Sequence, residues 1–287
     1  MKLIRLSKSS ITQKDKIEVQ KVLDKEFLGM GEEVKKFESL LSKYFKSHVA
    51  CVSSGTTALQ LALQAIGIKK NDKVLIPALT YVAAFQAITA LGAKPISLDI
   101  KEDDLNFDER DIEKKITKKT KCIMPVHYSG SPGNLDKLFK LGKKYNLRVI
   151  EDAAHAFGSK YKNKLIGSFG DIICFSFDGI KNITSGEGGC VVSKNKKIID
   201  YVKDARTLGI NKETSSRYKN KRNFGYKVKI QGWRYHMSNI NAGLGISQFN
   251  RKEIIFKKRK KFANLYVQYL KKNKSINLLK HNYKNIV

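Results

Sequence analysis

The chain has 287 residues, 41% of them apolar, and 56 lysines and arginines against 26 aspartates and glutamates, a formal net charge of +30. That is enough apolar material for a full core and enough length for a large domain plus part of a second. No run approaches membrane-spanning length, and residues 1–10 hold too few large aliphatics for a signal peptide, so no membrane association is expected and the expected compartment is the cytosol.

Two amphipathic helices open the chain, at 13–25 and 32–45, joined by Gly29-Met30-Gly31. Strand-like runs at 49–52, 73–76, 95–100, 122–126, 147–150, 172–177 and 190–192 then alternate with helix-compatible stretches. Such alternation predicts an α/β fold with a mostly parallel sheet covered by helices on both faces. Residues 211–229, rich in Lys, Arg, Asn and Ser without periodicity, read as a mobile or partner-contacting loop. From Met237 the pattern is helical again, with 250–272 a long basic helix. The expected division is a large domain over 1–235 and the start of a small one over 236–287.

The positive charge raises the question of a nucleic-acid partner. The lysines, however, are scattered over helix faces: Lys137, Lys140 and Lys144 alternate with Leu135, Leu138, Phe139 and Leu141 as on a half-buried helix. The densest basic run, 257–261, lies in a helical stretch and reads as solvent-facing, and no zinc-finger or RNA-recognition signature occurs. No nucleic-acid partner is therefore expected. Cys51, Cys122, Cys174 and Cys190 sit in apolar strand-like segments without Cys-x-x-Cys spacing, so buried free thiols are expected and no metal site.

Three strand ends carry residues suited to chemistry. Lys181 follows the apolar run 172–175 and precedes the turn Gly186-Glu187-Gly188-Gly189. Burial lowers an amine's pKa, and a neutral amine attacks an aldehyde. Glu151-Asp152-Ala153-Ala154-His155 follows the run 147–150, at the edge where open α/β sheets bind ligands. Ser53-Ser54-Gly55-Thr56-Thr57 follows 49–52 and opens an apolar helix whose free N–H groups and hydroxyls form a phosphate cradle. Singly these are ordinary features, since Asp at a strand end is more often a cap and Gly-Thr-Thr an ordinary helix start. Jointly and in this order, they meet the needs of pyridoxal 5'-phosphate: a lysine for the aldehyde, a carboxylate for the ring nitrogen and a cradle for the phosphate.

At these residues the chain resembles the DegT/DnrJ/EryC1/StrS sugar aminotransferases, and within them most of all the members that form 4-amino-4-deoxy-arabinose on a nucleotide carrier. The resemblance runs from Phe27 to about Gln248 and includes Pro77-Ala78-Leu79-Thr80-Tyr81, Val126-His127-Tyr128-Ser129-Gly130, the stretch from Glu151 to Gly158, the Lys181 run, and Gly232-Trp233-Arg234-Tyr235-His236-Met237. It implies a fold-type I enzyme dependent on pyridoxal phosphate, with Lys181 as the covalent anchor, Asp152 on the pyridine nitrogen, Ala154 against one ring face and His155 at the ring hydroxyl. Tyr81 matches the position stacking on the other face, and Thr56, Thr57 and Ser176 match phosphate contacts beside Gly55. Arg234 and His236 match a segment that reaches a neighbouring subunit's phosphate, which implies a homodimer with shared sites. The implied reaction moves an amino group from L-glutamate to a nucleotide-linked keto sugar.

Plain structural readings stand beside these: Tyr81 as core, Ser176 as a strand-end cap, His155 as a satisfied buried histidine. The chain departs from the family twice. Asp178 stands where members often have His, and members continue well past Val287, so the chain reads as carrying an incomplete small domain. A sugar dehydratase of the same fold is an alternative, though its pattern replaces the lysine by histidine. A truncated, non-catalytic family member is another.

Overall fold

Helix α1 (Gln13–Asp24) starts at a reciprocal cap, with Asp15 Oδ2 accepting from the Thr12 backbone N–H at 2.7 Å and from its hydroxyl at 2.8 Å. In α2 (Glu32–Phe45), Val34, Phe37, Leu41 and Phe45 recur at helical spacing and all are buried. Each such side chain stabilises the fold by roughly 1.5–3 kcal/mol. The computed structural model describes residues 7–210 and 227–287, so 211–226, most of the predicted basic loop, lies outside the described residues.

The strands are β1 (His48–Val52), β2 (Lys73–Pro77), β3 (Lys94–Leu98), β4 (Thr120–Ile123), β5 (Arg148–Asp152), the short hairpin β6 (Lys160–Tyr161) and β7 (Lys164–Leu165), β8 (Ile172–Ser176) and β9 (Gly189–Ser193). Seven form one sheet in the order β1-β9-β8-β5-β4-β2-β3. β3, β2, β4, β5 and β8 pair in parallel, while β9 runs antiparallel to both its neighbours. The fold is therefore α/β with a mostly parallel central sheet, as expected.

Alternation along the strands divides the core in two. Cys51, Val149, Ile173, Phe175 and Val192 face α2, α6 (Leu135–Lys144) and α8 (Asn239–Asn250). Val52, Ile150, Ile172, Cys174 and Val191 face α3 (Gly55–Ala65), α4 (Val82–Thr89) and α7 (Lys196–Ala205). Burial on both faces is why these strands read as continuous apolar runs. The four cysteines are free and buried in them. A short helix α5 (Glu109–Lys115) buries Ile112 at the β3 end of the sheet.

The predicted helix at 250–272 is α9 (Lys252–Leu270), separated from α8 by a break at Arg251. Arg251 pairs with the fully buried Asp15 at 2.9 Å, and Ser247 Oγ donates to the same carboxylate at 2.8 Å, so one carboxylate ties α1 to the α8–α9 junction. Among the described residues no helix is long and apolar enough to cross a membrane.

Candidate active site

The parallel strands β2, β4, β5 and β8 all end on one edge, and the segments leaving them bring the predicted residues together there. α3 begins on the same edge. Ser54 Oγ accepts from the Thr57 N–H at 3.1 Å, while Thr57 Oγ1 accepts from the Ser54 N–H at 3.0 Å and donates to the Ser54 carbonyl at 2.9 Å. The Thr57 hydroxyl is thus engaged in holding the helix start. The N–H groups of Gly55 and Thr56, in the first turn, have no acceptor within the helix. A Cβ on Gly55 would lie 2.8 Å from Ser176 Cβ, so only glycine lets this N-terminus rest directly against the serine at the end of β8. The Gly55 and Thr56 N–H groups and the Ser176 hydroxyl thus lie together at this edge, donors of the kind an anion takes.

β5 delivers Asp152 to the same edge, buried, with Oδ1 accepting from the Ala154 N–H at 3.1 Å. Burial pushes the Asp152 carboxyl above its usual range, and the Ala154 N–H, His127 and Lys181 oppose that shift. Among the described residues it makes no ion pair. A buried carboxylate without a cationic partner is costly, and a bound cation would offset that cost. Its neighbour Glu151 points to the other side of the sheet, where Oε2 meets His127 Nε2 at 2.9 Å with both residues buried. Burial pushes Glu151 up, and the His127 contact opposes this.

The Lys181 segment is a tight closed loop. The Phe177 N–H donates to the Gly188 carbonyl and the Ser185 N–H to the Phe177 carbonyl, each at 2.8 Å. A Cβ on Gly188, at φ +159°, would meet Met237 Cε at 2.5 Å, which explains the glycine at that turn. Asn182 Nδ2 donates to the Phe157 carbonyl at 2.8 Å and the His155 carbonyl at 3.3 Å, fixing the lysine's backbone against the segment that leaves β5. Lys181 itself is half-buried and near enough to Asp152 and His155 to bias the titration of both.

His155 is half-buried, and burial, then the charges of Lys181 and Arg259, push its imidazole down from 6.5 to about 4. It is therefore neutral at pH 7. Between pH 6.5 and about 4 the unfolded chain binds a proton at this site that the folded chain refuses, so this contribution to stability is lost as pH falls through that window. Thermal melts of wild type and His155→Gln should show a smaller loss for the variant between pH 7 and pH 4.5. Equal losses would rule out His155 as a source of acid sensitivity.

The remaining predicted residues lie around this centre. Tyr81 precedes α4 and is 76% exposed as a residue, so it is not core, and the adjacent Thr80 Oγ1 is buried with no partner among the described residues. Arg234 is exposed, while His236 is half-buried beside Val52 and held below its usual value first by burial, then by Arg234 and Arg206. On either side of Arg234, the Trp233–Tyr235 stack, with ring centroids 5.6 Å apart, packs on α3, where Trp233 Nε1 donates to Gln64 at 3.0 Å. Asp178 turns back on its own loop, Oδ1 accepting from the Ile180 N–H at 3.2 Å. Sequence reasoning missed the structural part of Asn182 and the His127–Glu151 pair. The first lay inside a recognised motif, whereas the second is a juxtaposition of distant segments.

Comparison with known proteins extends this geometry. The sequence profile of the DegT/DnrJ/EryC1/StrS aminotransferase family matches residues 9–285. An uncharacterized protein of Methanocaldococcus jannaschii, MJ1066, is 40% identical over 250 residues, covering 87% of this chain and 65% of that protein. The GDP-perosamine synthase of Escherichia coli O157:H7 is 39% identical over 270 residues, covering 93% of this chain and 71% of that protein. The chain thus spans about two thirds of the length of these relatives. Among solved structures, a sugar aminotransferase of Streptococcus pneumoniae, Spr1654, in its PMP-form superposes with a TM-score of 0.86 at 29% identity, covering 93% of this chain and 72% of that one. The same protein has also been solved in a PLP-form. With the sheet, the closed lysine loop and the profile match in agreement over nearly the whole chain, the protein belongs to the DegT/DnrJ/EryC1/StrS aminotransferase family.

Proposed function

We propose that this protein is a pyridoxal-phosphate-dependent aminotransferase that moves an amino group from L-glutamate to a nucleotide-linked keto sugar, in the formation of an amino sugar for a surface polysaccharide. The observation carrying this reading is the meeting of three unlike elements on one sheet edge: the Lys181 loop, the buried unpaired Asp152, and the Gly55–Ser176 contact. The cofactor's groups fit each in turn. A pyridinium N–H supplies the cation that Asp152 lacks, a phosphate suits the Gly55 and Thr56 N–H groups and the Ser176 hydroxyl, and an aldehyde suits Lys181. Ala154 and the exposed ring of Tyr81 are the candidates to flank the pyridine ring.

When bound, the cofactor supplies an electron sink for breaking the bond at the donor's Cα. The protein supplies the rest. Lys181 carries the proton as general base and acid, Asp152 keeps the ring nitrogen charged, and the neutral imidazole of His155 is the hydrogen-bond partner for the ring hydroxyl. The net exchange turns donor amino acid and keto sugar into keto acid and amino sugar. The names of the relatives support the substrate class: one is a GDP-perosamine synthase, another a sugar aminotransferase. Lys181 argues against the dehydratase alternative.

The test is a half-reaction. Purified protein loaded with pyridoxal phosphate should release one equivalent of 2-oxoglutarate from L-glutamate per site, and the resulting amine form should then aminate one of a panel of nucleotide keto sugars. Bound cofactor with no keto acid from any amino acid would favour a non-catalytic family member instead.

The proposal includes a homodimer in which Arg234 and His236 reach the partner's cofactor phosphate, a dianion that gains from cationic donors. Mixing an Arg234→Ala/His236→Ala variant with a Lys181→Ala variant should regenerate activity, because one pocket of the mixed dimer inherits neither defect. No recovery despite confirmed subunit exchange would place this segment on its own protomer's site. The exposed position of Arg234 supports the reading, while the packing of Trp233 and Tyr235 on their own α3 fixes the segment's base.

A further inference from the structure

The segment leaving β4 runs on beside the end of β5 and holds Asp152 by its main chain. The Asp152 N–H donates to the Pro125 carbonyl and the His127 N–H donates to the Asp152 carbonyl, each at 2.9 Å. The side chain of the same histidine reaches the preceding residue of β5, with Nε2 at 2.9 Å from Glu151 Oε2. The fold makes room for that carboxylate: Gly170 has φ +94°, and a Cβ there would collide with Glu151 Oε1. His127 is fully buried and Glu151 is 1% exposed. His127 Nδ1 and Glu151 Oε1 are both buried with no hydrogen-bond partner among the described residues.

Two ionisable groups out of water, each with a polar atom unmet, are a costly way to fill a core, where an apolar pair of similar volume is often as stable or more so. Nor does the pair meet a ligand, since His127 has no exposed surface and Glu151 points to the other side of the sheet from Asp152. What it does reach is Asp152. We propose that His127 and Glu151 are positioning residues, Glu151 fixing the imidazole and His127 holding Asp152 in place and ionised for the cofactor's ring nitrogen. This deepens the aminotransferase reading above and rests on it. A carboxylate at Nε2 fixes both the orientation of an imidazole and the nitrogen that carries its proton. The two main-chain bonds fix where β5 presents the Asp152 side chain, whose carboxylate otherwise accepts from the Ala154 N–H. The nearby imidazole also opposes the upward push of burial on the Asp152 carboxyl, after the Ala154 N–H.

The test uses the full chain loaded with pyridoxal phosphate that carries nitrogen-15 in its ring, so that the NMR shift reports whether the ring nitrogen is protonated. His127→Leu/Glu151→Met replaces the pair by apolar side chains, and its melting temperature should stay at or above that of wild type. The ring-nitrogen signal should move toward its unprotonated position. Single-turnover release of 2-oxoglutarate from L-glutamate should slow by about 10- to 100-fold, the range for removing an outer partner of a metal ligand. Saturation with L-glutamate should not change, because neither residue touches the donor. Glu151→Gln keeps the shape of the side chain and a hydrogen bond to His127, so it should show the same changes at smaller size, and it serves if the double variant does not fold. A pair that only supports the fold would change the melting temperature and leave the ring nitrogen as it is. That result, or a folded double variant with wild-type rate and ring signal, would overturn the proposal. Wild-type protein that binds the cofactor with a protonated ring yet releases no keto acid would instead sink the aminotransferase reading, and the ring signals of the variants would still decide whether the pair supports Asp152.

Discussion

Lys181→Ala protein is expected to fold, to bind pyridoxal phosphate without a covalent link, and to lose amino transfer. The loop that carries the lysine is held by other groups: Asn182 Nδ2 on the Phe157 and His155 carbonyls, Thr184 Oγ1 on the Phe177 carbonyl at 3.2 Å, and Asn241 Nδ2 on the Ser185 carbonyl at 2.8 Å. Removing a half-buried side chain that makes none of these bonds leaves the loop standing, and the melting temperature should stay within a few degrees of wild type. Chemistry should fare differently. A positioned general acid or base contributes typically about 10²–10⁴ in rate, and here the same amine is also the covalent anchor, so the loss should exceed that range. Borohydride reduction of the loaded wild-type protein followed by peptide mapping should place the modified residue at Lys181 and find none in the variant. A modified lysine elsewhere would refute the assignment.

What the sequence disclosed and what it hid divide along a physical line. The strands were legible because both faces of the sheet are buried, leaving runs such as Ile172-Ile173-Cys174-Phe175 without a polar break. α2 was legible to the residue from the period of Val34, Phe37, Leu41 and Phe45. The reversed direction of β9 was not, since an apolar run reads the same in either direction and pairing is a long-range choice. The positions of Lys181 and Asp152 were legible because each leaves the end of a strand, where local sequence fixes position. Thr57 shows the limit of that logic: its hydroxyl fits a phosphate contact by sequence, yet the fold engages it in the helix cap, and the proposed anion ligands are then Gly55, Thr56 and Ser176. The His127–Glu151 pair joins residues from two strands, and neither carries a local mark of the other.

The second large effect concerns Asp152. Asp152→Asn keeps the shape of the side chain and an oxygen able to accept the Ala154 N–H, so the edge of β5 and cofactor capture by Lys181 should both survive. Stability should hold or rise, because burial raises the carboxyl's pKa and the amide removes an uncompensated buried charge. The cost falls on chemistry. A carboxylate stabilises a charged ring nitrogen, which an amide cannot do, and an uncharged ring is a poorer acceptor for the electrons released at the donor's Cα. Single-turnover release of 2-oxoglutarate from L-glutamate should therefore slow by roughly two to four orders of magnitude, a barrier increase of about 3–5 kcal/mol. Saturation with glutamate should change little, as the proposed partner of Asp152 is the ring nitrogen and not the donor. The combination is diagnostic: a melting temperature at or above wild type with the rate collapsed means that the buried charge is kept for catalysis at a cost in stability. An unchanged single-turnover rate would show that the ring nitrogen does not depend on Asp152, and the cation that this carboxylate lacks among the described residues would have to come from another group.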